Sequence, residues 1–562
     1  MEPKIWISKI TFSDNTTIEF ESNDIIAIVG PNNSGKSASL KEASNFLKTQ
    51  NTKSKVIKAI EFSKSGSDSE LIEYLEKISK KEYTTNPEPY YNGMGYRIYG
   101  GSVKSWWNNV SSGIDNLSIV FSKNLTTEER LKAANPASNI KLTTESPKHP
   151  INLLQKSDKI EKQFNQYFKQ AFDLDLIVHR NAGNEVPLYV GKAPKIVSGQ
   201  DRLSESYQIE LEKLDLLHEQ GDGMRSFVGV LLNAFIGSQN LLFIDEPEAF
   251  LHPPQAKLLG KMLATDLPSS TQLLLATHSL DFLKGLLEGS SKNLKIIRIQ
   301  RNGKINNVNT LNNSEIDSIW SDSLLRHSNI LDGLFHTDVI ICESDSDSRF
   351  YSAILSAVNE KKGISNSDTL FIQCGGKHRI PTVIKALKKL NVPVSSICDF
   401  DVLNAKNPLK DIYEESGGKW IDIEKDWKIV KEAIESKRPE LEVNELKEEI
   451  DTIFQTISVK IMPKEKLSAI GKSLKKASAW AHAKQVGKLF IPSGQATQAY
   501  ERLIENLKSK KVYVVELGEL ESFVKSVGNH GPKWVNEVLT KDLINDAEIE
   551  PARKFIEEIS QK

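Results

Sequence analysis

Eight residues constrain this chain more than any others: GPNNSGKS at 30–37. They directly follow the apolar run IIAIV at 25–29 and directly precede ASLKEASNFL, whose apolar residues recur at helical spacing. The run reads as a buried strand. The spacing G-x-x-x-x-G-K-[ST] between strand and helix is the context in which a glycine-bearing loop turns its backbone N–H groups, and a helix N-terminus, onto phosphate oxygens. In that arrangement Gly30, Asn33, Ser34 and Gly35 form the cradle of a nucleotide, Lys36 reaches its β- and γ-phosphates, and the Ser37 hydroxyl ligates Mg²⁺.

The partners of such a loop lie far downstream. LLFIDEPEAFLHP, from Leu241, is a second buried strand ending in Asp245-Glu246. Asp245 is placed to hold Mg²⁺ through water, and Glu246 to orient an attacking water as general base. QLLLATHS supplies a further strand ending at His278, a residue suited to contact a γ-phosphate; taken alone, a histidine there is more often a polar cap. Ahead of the acidic pair, QGDGMRS at 220–226 precedes the apolar segment FVGVLLNAF. Four elements in this order describe a nucleotide-hydrolysing α/β domain.

The set resembles the ABC-type P-loop ATPase heads of the SMC, RecF and OLD families. That resemblance implies that Gly221 and Gly223 complete the ATP site of a second subunit in trans, and so a homodimer or higher oligomer formed through the heads. Two departures stand out. Asp222 occupies a position where many relatives carry Ser, and a carboxylate near a γ-phosphate is unfavourable unless it points away. No glutamine sits at a recognisable Q-loop position, Gln50 coming early, so ATP binding is implied more securely than rapid turnover. Residues 55–205 separate the two halves of the head. They mix helical stretches (SELIEYLEKISKK, IEKQFNQYFKQAF) with strand-like ones (LDLIVHR, VPLYVG), an inserted region suited to pairing subunits or contacting a partner. Trp106-Trp107 within it could stack bases, but core burial is the commoner reason for such a pair.

At 562 residues the chain exceeds what one core usually supports, and its character changes near residue 326. TDVIICES ends at Glu343, TLFIQCGGKHRI runs into Gly375-Gly376, and VSSICDFDVL delivers Asp399 and Asp401. The helical stretches SRFYSAILSAV and IPTVIKALKKL alternate with these strands, which is a parallel α/β layout whose ligands gather at the carboxyl ends of the strands. The three cysteines, Cys342, Cys374 and Cys398, end the same apolar runs and lack zinc or redox spacing, so they read as small buried residues. One Glu with an Asp-x-Asp at one sheet edge suits one or two Mg²⁺ or Mn²⁺ ions and phosphodiester cleavage. In ESDSD, Glu343 reads as ligand and base.

This is the pattern of the TOPRIM domain, with Ser344 where many members have glycine. An ABC-type head followed by TOPRIM is the OLD-family architecture, which includes the nuclease subunit of Gabija and OLD-type effectors of some retrons. The resemblance implies an ATPase domain over 1–325 and a TOPRIM nuclease domain over 326–562 with a helical insertion at about 405–510. It implies an ATP-binding, metal-dependent endonuclease acting on DNA, in an anti-phage defence role. The partners it implies are a reverse transcriptase with its RNA/DNA or a helicase-like protein. The resemblance implies Asp347 as a second-metal ligand one helical turn on from Glu343 and leaves Asp345 as the extra acid, facing solvent. It also implies a late acidic position, met by Glu519 or, slightly better, Glu521 in VYVVELGELESF, and a catalytic lysine, for which Lys533 is preferred over Arg553 and Lys554.

The net charge of −1 leaves any nucleic-acid surface local. Residues 464–488 carry seven lysines against one glutamate, with Trp480 and His482 interleaved, and suit phosphate contacts or simply a solvated helix face. Lys377-His378-Arg379, beside the glycine pair, lies closer to the proposed cleavage site. No apolar run reaches the ~20 residues of a membrane span and the start MEPKIWISKI lacks signal-peptide shape, so a cytoplasmic protein is expected. The competing reading is a RecF- or SMC-like ATP-dependent DNA clamp with a non-cleaving TOPRIM scaffold. Crowded carboxylates argue against it, because a scaffold has no need of them. None of the 13 tyrosines sits in a recognisable topoisomerase module.

Overall fold

A strand that is apolar at every position needs neighbours on both edges and cover on both faces. In the computed structural model, which describes residues 2–289, 293–303, 305–311, 321, 329–364, 368–437, 443–475 and 479–560, Ile25–Val29 has both. All five of its residues are buried, and Gln272–Ala276 and Leu294–Asn302 run parallel to it on either side. The chain divides into two compact units, Met1–Asp322 and Ser323–Lys562. The boundary expected between 325 and 326 lies outside the described residues.

The first unit is built on a six-stranded sheet ordered Ile305–Leu311, Leu294–Asn302, Ile25–Val29, Gln272–Ala276, Leu241–Asp245, Ser122–Leu125. Only the first pair is antiparallel. Helix Lys36–Lys48 buries Ser39, Leu40, Ala43, Phe46 and Leu47, the i, i+3, i+4, i+7 stripe of a helix with one face on a core. A second, antiparallel sheet joins Thr17–Glu19, Lys4–Phe12 and Ile57–Ser65.

Two stretches inside 55–205 therefore belong to the sheets of the ATPase unit itself. Ile57–Ser65 pairs along Lys4–Phe12, and Ser122–Leu125 is the edge strand beside Leu241–Asp245. The expected insertion is bounded by motifs, and neither strand carries one. Trp107 is fully buried, stacked on Phe121 at 5.1 Å between ring centroids, and donates its indole N–H to Gly66 O at 3.1 Å. Trp106 packs against the same core. Beyond these, the helices Thr127–Ala133, Pro150–Lys156 and Asp158–Phe172 lead to a small antiparallel sheet of Asp175–Val178, Leu188–Gly191 and Asp215–Leu216.

The second unit holds a four-stranded sheet, Thr369–Gln373, Asp338–Cys342, Val394–Cys398, Val512–Val514, parallel throughout. Parallel strands place all their carboxyl ends on one edge, so Glu343, Asp399 and the turn after Val514 emerge together. All three cysteines are buried under that edge. Among the described residues, six α-helices, from Lys406–Glu415 to Gln495–Ser509, lie between the last two strands. Among the described residues no helix is long and apolar enough to cross a membrane.

Candidate functional site

The phosphate loop takes its shape from backbone conformations that favour glycine. Gly30 has φ +146°, and a Cβ there would come 2.0 Å from the carbonyl oxygen of Ile299 on the neighbouring strand. Gly35 has φ +102° and caps Lys36–Lys48, while Asn33, at φ +60°, is of the residue type that best tolerates that region. The Lys36 ammonium donates to the carbonyls of Gly30 at 2.8 Å and Pro31 at 2.9 Å, lying across its own loop. The Ser37 hydroxyl donates to Asp245 Oδ1 at 2.9 Å and so ties the helix start to the end of Leu241–Asp245. Burial raises the Asp245 carboxyl above its ordinary value, with the Ser37 hydrogen bond acting against it. A hydroxyl and a carboxylate in contact, beside a loop of N–H donors, form an oxygen pair that fits Mg²⁺ with a nucleotide.

Glu246 has φ +49° and stands with Oε1 3.2 Å from His278 Nδ1, so the residue expected to orient the water and the one expected to contact a γ-phosphate meet at adjacent strand ends. Two residues of this site have no sequence motif. Glu248 is buried and accepts from Thr277 Oγ1 at 2.7 Å and from the His278 N–H at 3.1 Å, fixing the turn that presents His278. Arg130 is also fully buried, and its guanidinium donates to the carbonyls of Leu125, Asp245 and Glu246, to Ser226 Oγ and to Thr127 Oγ1. It thereby joins the strand end bearing the acidic pair to the helix that QGDGMRS begins. The second glutamate of D-E-P-E is the one signal that could have drawn attention to Glu248; nothing singles out Arg130 in TTEERLKAAN.

Gly221 caps the helix Asp222–Leu231 and is exposed with open space around it. Gly223 lies against Phe250, whose carbonyl oxygen a Cβ would approach to 2.8 Å. Asp222 is paired with Arg225 one turn on, at 3.0 Å, so the extra carboxylate is held on its own helix.

In the second unit, Glu343, Asp399 and Asp401 offer carboxylate oxygens that all lie within 4.8 Å of one another. Strand Val394–Cys398 stops before the pair: Asp399 caps a short 3₁₀ turn, Phe400–Asn404, that contains Asp401. Glu343 accepts the backbone N–H of Asp399 at 3.1 Å, locking the two strand ends together. Burial raises the Glu343 carboxyl, and burial with the Lys484, Glu343 and Asp347 charges sets Asp399, which is pushed up to about 8. Asp401 Oδ1 is buried with no hydrogen-bond partner among the described residues. Hard oxygen donors, crowded and partly unsatisfied, fit a divalent cation such as Mg²⁺ or Mn²⁺.

Asp347 is built into the start of helix Asp345–Lys362, where its Oδ2 accepts the Ser344 N–H at 2.8 Å and the Ser344 hydroxyl at 2.9 Å. Burial raises its carboxyl, and the Glu521 charge adds to the rise. Asp345 is exposed, and among the described residues its carboxylate pairs with Arg349 at 3.8 Å. Of the late acids, Glu519, Glu521 and His530 form a second group of possible ligands within 4.8 Å of one another. Glu516 is instead taken up by Lys488 at 3.0 Å and Lys508 at 3.1 Å.

The basic residues near the acidic edge differ in reach. Lys533 is exposed on the first turn of Pro532–Val538, and among the described residues it makes no ion pair with the carboxylates. Arg553 is buried against Glu550 and the carbonyls of Leu543 and Asp546, and Lys554 reaches only Glu550 at 3.9 Å. The ammonium groups that do reach the acids belong to Lys377, 3.0 Å from Asp401 Oδ2, and Lys484, 3.1 Å from Asp399 Oδ2 and 3.8 Å from Glu519 Oε2. Both fall in stretches whose basic character is evident in the sequence. Spacing does not say which lysine of seven in 464–488 turns inward. The Gly375-Gly376 turn, at φ +77° and +119°, brings Lys377 back under the sheet edge, with the Gly376 N–H bonded to Glu343 O at 2.8 Å.

Residues 102–284 match the AAA domain family described for an AbiEii toxin of type IV toxin–antitoxin systems. Residues 334–401 match the TOPRIM domain of proteins like the overcoming lysogenization defect protein. The Old nuclease of Escherichia phage P2 is 23% identical over 173 residues, which are 30% of this chain and 28% of that protein. The chain thus aligns with less than a third of that relative's length. Among solved structures, an SMC head bound to the C-terminal winged-helix domain of ScpA is 13% identical, with a TM-score of 0.33, over 55% of this chain and 98% of that one. The SMC head domain from Thermotoga maritima is 14% identical, with a TM-score of 0.28, over the same shares. The chain thus carries an AAA-type ATPase domain followed by an OLD-like TOPRIM domain, the second matching the TOPRIM model of the overcoming lysogenization defect proteins.

Proposed function

We propose that this protein is an ATP-binding, divalent-metal-dependent endonuclease that cleaves DNA at the TOPRIM sheet edge, and that it serves in anti-phage defence. The observation that carries the reading is the convergence of Glu343, Asp399 and Asp401 at the carboxyl ends of two adjacent parallel strands. Asp399, Asp401 and Glu343 would hold one Mg²⁺ or Mn²⁺, and Asp347 with Glu519 and Glu521 a second. A divalent ion there supplies an activated water and neutralises charge on the leaving oxygen. Glu343 is placed to take up the water's proton, since burial raises its carboxyl toward the working pH. Lys377 fixes Asp401 through both its carboxylate and its carbonyl, at 3.0 and 3.2 Å. His378 and Arg379 are exposed next to it, where a DNA phosphate would be met.

In the ATPase domain, for which 1–325 is the proposed extent, the 30–37 loop would hold the phosphates, Ser37 and Asp245 the Mg²⁺, Glu246 the water and His278 the γ-phosphate. Exposed Gly221, with half-buried Gly223 behind it, suits a second subunit's nucleotide, which supports a head-to-head homodimer acting in the cytoplasm. A defence partner, either a reverse transcriptase with its nucleic acid or a helicase-like protein, would govern when cutting begins.

The test is a cleavage assay on DNA with Mg²⁺ or Mn²⁺, with and without ATP, comparing wild type, Lys36→Ala and Asp399→Ala. Cleavage should vanish in Asp399→Ala with ATP binding kept, and the ATP dependence should vanish in Lys36→Ala. Cutting by Asp399→Ala at the wild-type rate would refute the assignment.

A further inference from the structure

Lys484 stands where three carboxylates converge. Its ammonium is 3.1 Å from Asp399 Oδ2, 3.7 Å from Asp401 Oδ2 and 3.8 Å from Glu519 Oε2, with the side chain one-third exposed. The side chain comes from helix Ala479–Val486 in the helical segment, not from the sheet, and its place is set by backbone packing. That helix ends at Gly487, φ +62°, where a Cβ would fall 2.1 Å from Glu516 O. Across the contact, Gly518 has φ +123°, and a Cβ there would fall 2.2 Å from Lys484 O. Two main chains this close admit no side chain between them. The Lys488 N–H donates to Glu516 O at 2.9 Å, the Ser522 hydroxyl to Gln485 O at 3.2 Å, and the Phe400 N–H to Gly518 O at 2.8 Å. On its other side the helix buries Trp480 and Ala483, and the Trp480 indole N–H reaches Glu435 at 3.3 Å.

An ammonium and a divalent cation ask for the same thing, anionic oxygen, and two cations drawing on one set of carboxylates repel each other. The oxygens that Lys484 engages on Asp399 and Asp401 are those of the proposed metal cluster. We propose that Lys484 is a resident counter-ion of the TOPRIM site that competes with the divalent ion for Asp399 and Asp401. Metal loading is then coupled to withdrawal of the ammonium, and the Ala479–Val486 helix becomes a lever on metal affinity. This rests on the reading of Glu343, Asp399 and Asp401 as a metal site.

The experiment titrates Mn²⁺ into the nucleotide-free full chain at pH 8, reading unbound Mn²⁺ by electron paramagnetic resonance. Binding by Asp399→Ala is subtracted to remove any ion held in the ATPase domain. Lys484→Met, which keeps an apolar stem of similar length, should bind Mn²⁺ in the Asp399-dependent site about tenfold more tightly, the factor that about 1.4 kcal/mol corresponds to. Lys484→Gln should shift in the same direction, and Lys484→Arg, which keeps the charge, should stay near wild type. Unchanged or weaker Mn²⁺ binding in both folded charge-free variants would overturn the competition and leave the metal site standing. Absence of any Asp399-dependent Mn²⁺ binding in wild type and variants alike would overturn both.

Discussion

Replacing Asp399 with Asn should make the metal-free protein more stable, and increasingly so as pH rises. The Asp399 side chain is 18% exposed and its carboxyl is pushed up to about 8, burial being the main cause. An unfolded chain ionises the same group near 3.9, so about four units separate the two states, a cost of about 5 kcal/mol for carrying the charge in the fold. The sign follows from proton binding. Between about pH 4 and pH 8 the native state holds a proton that the unfolded state has lost, so stability falls across that window as pH rises. Asn carries no charge and escapes the loss. Against this, Lys484 gives up its 3.1 Å partner and keeps Asp401 and Glu519 at 3.7 and 3.8 Å. That attraction is already contained in the value of about 8, so the remaining discount, about half, is for burying an amide whose N–H groups lack ready acceptors beside an ammonium, which leaves about 2–3 kcal/mol at pH 8.5. For a unit of this size that is a rise of about 5–10 °C in melting temperature. Thermal unfolding of wild type and Asp399→Asn in EDTA at pH 5, 7 and 8.5 reads it directly. The gap should widen with pH, and added Mg²⁺ should raise wild type more than the variant. A variant no more stable than wild type at pH 8.5, or a gap independent of pH, would refute the reasoning.

The two acids of the Asp345–Lys362 first turn should separate cleanly. Asp345→Asn loses only an exposed pair worth at most about 1 kcal/mol and should keep most cleavage. Asp347→Asn loses a carboxylate facing Glu521 and the Ser344 cap, about 1 kcal/mol of stability, and should lose cleavage in a nicking time course. Gly30→Ala would force a methyl 2.0 Å from Ile299 O and a side chain into φ +146°, at a cost of about 1–3 kcal/mol. Binding of a fluorescent ATP analogue should be lost with it, while Asp399-dependent Mn²⁺ binding is kept.

Much of the fold is legible in the sequence where a local signal coincides with its chemistry. IIAIV with GPNNSGKS, LLFID with Glu246, and VIIC and SSIC with the acids that follow each place a functional group at a strand end. What stays hidden depends on pairing across long sequence separations. Ile57–Ser65 lies along Lys4–Phe12, and Ser122–Leu125 lies beside Leu241–Asp245, without any motif to announce it. Arg130 is hidden for the same reason, since a buried guanidinium satisfied by three carbonyls looks, in sequence, like any lysine-flanked helix residue. The lysines show how reach defeats spacing. Lys533 follows the late acids closely but sits on an exposed turn, whereas Lys484 precedes them by more than thirty residues and is carried in by a helix.

The parallel order of the second sheet also governs when its acidic edge is complete. Glu343 and Asp399 emerge from early strands, but Glu519 and Glu521 follow Val512–Val514, the edge strand that pairs with Val394–Cys398 only after all six intervening helices exist. A chain still on the ribosome, or one clipped within those helices, holds part of the acidic set and no closed site. For the proposed nuclease, synthesis past Val514 would be the first condition on cutting, met before any nucleotide is bound.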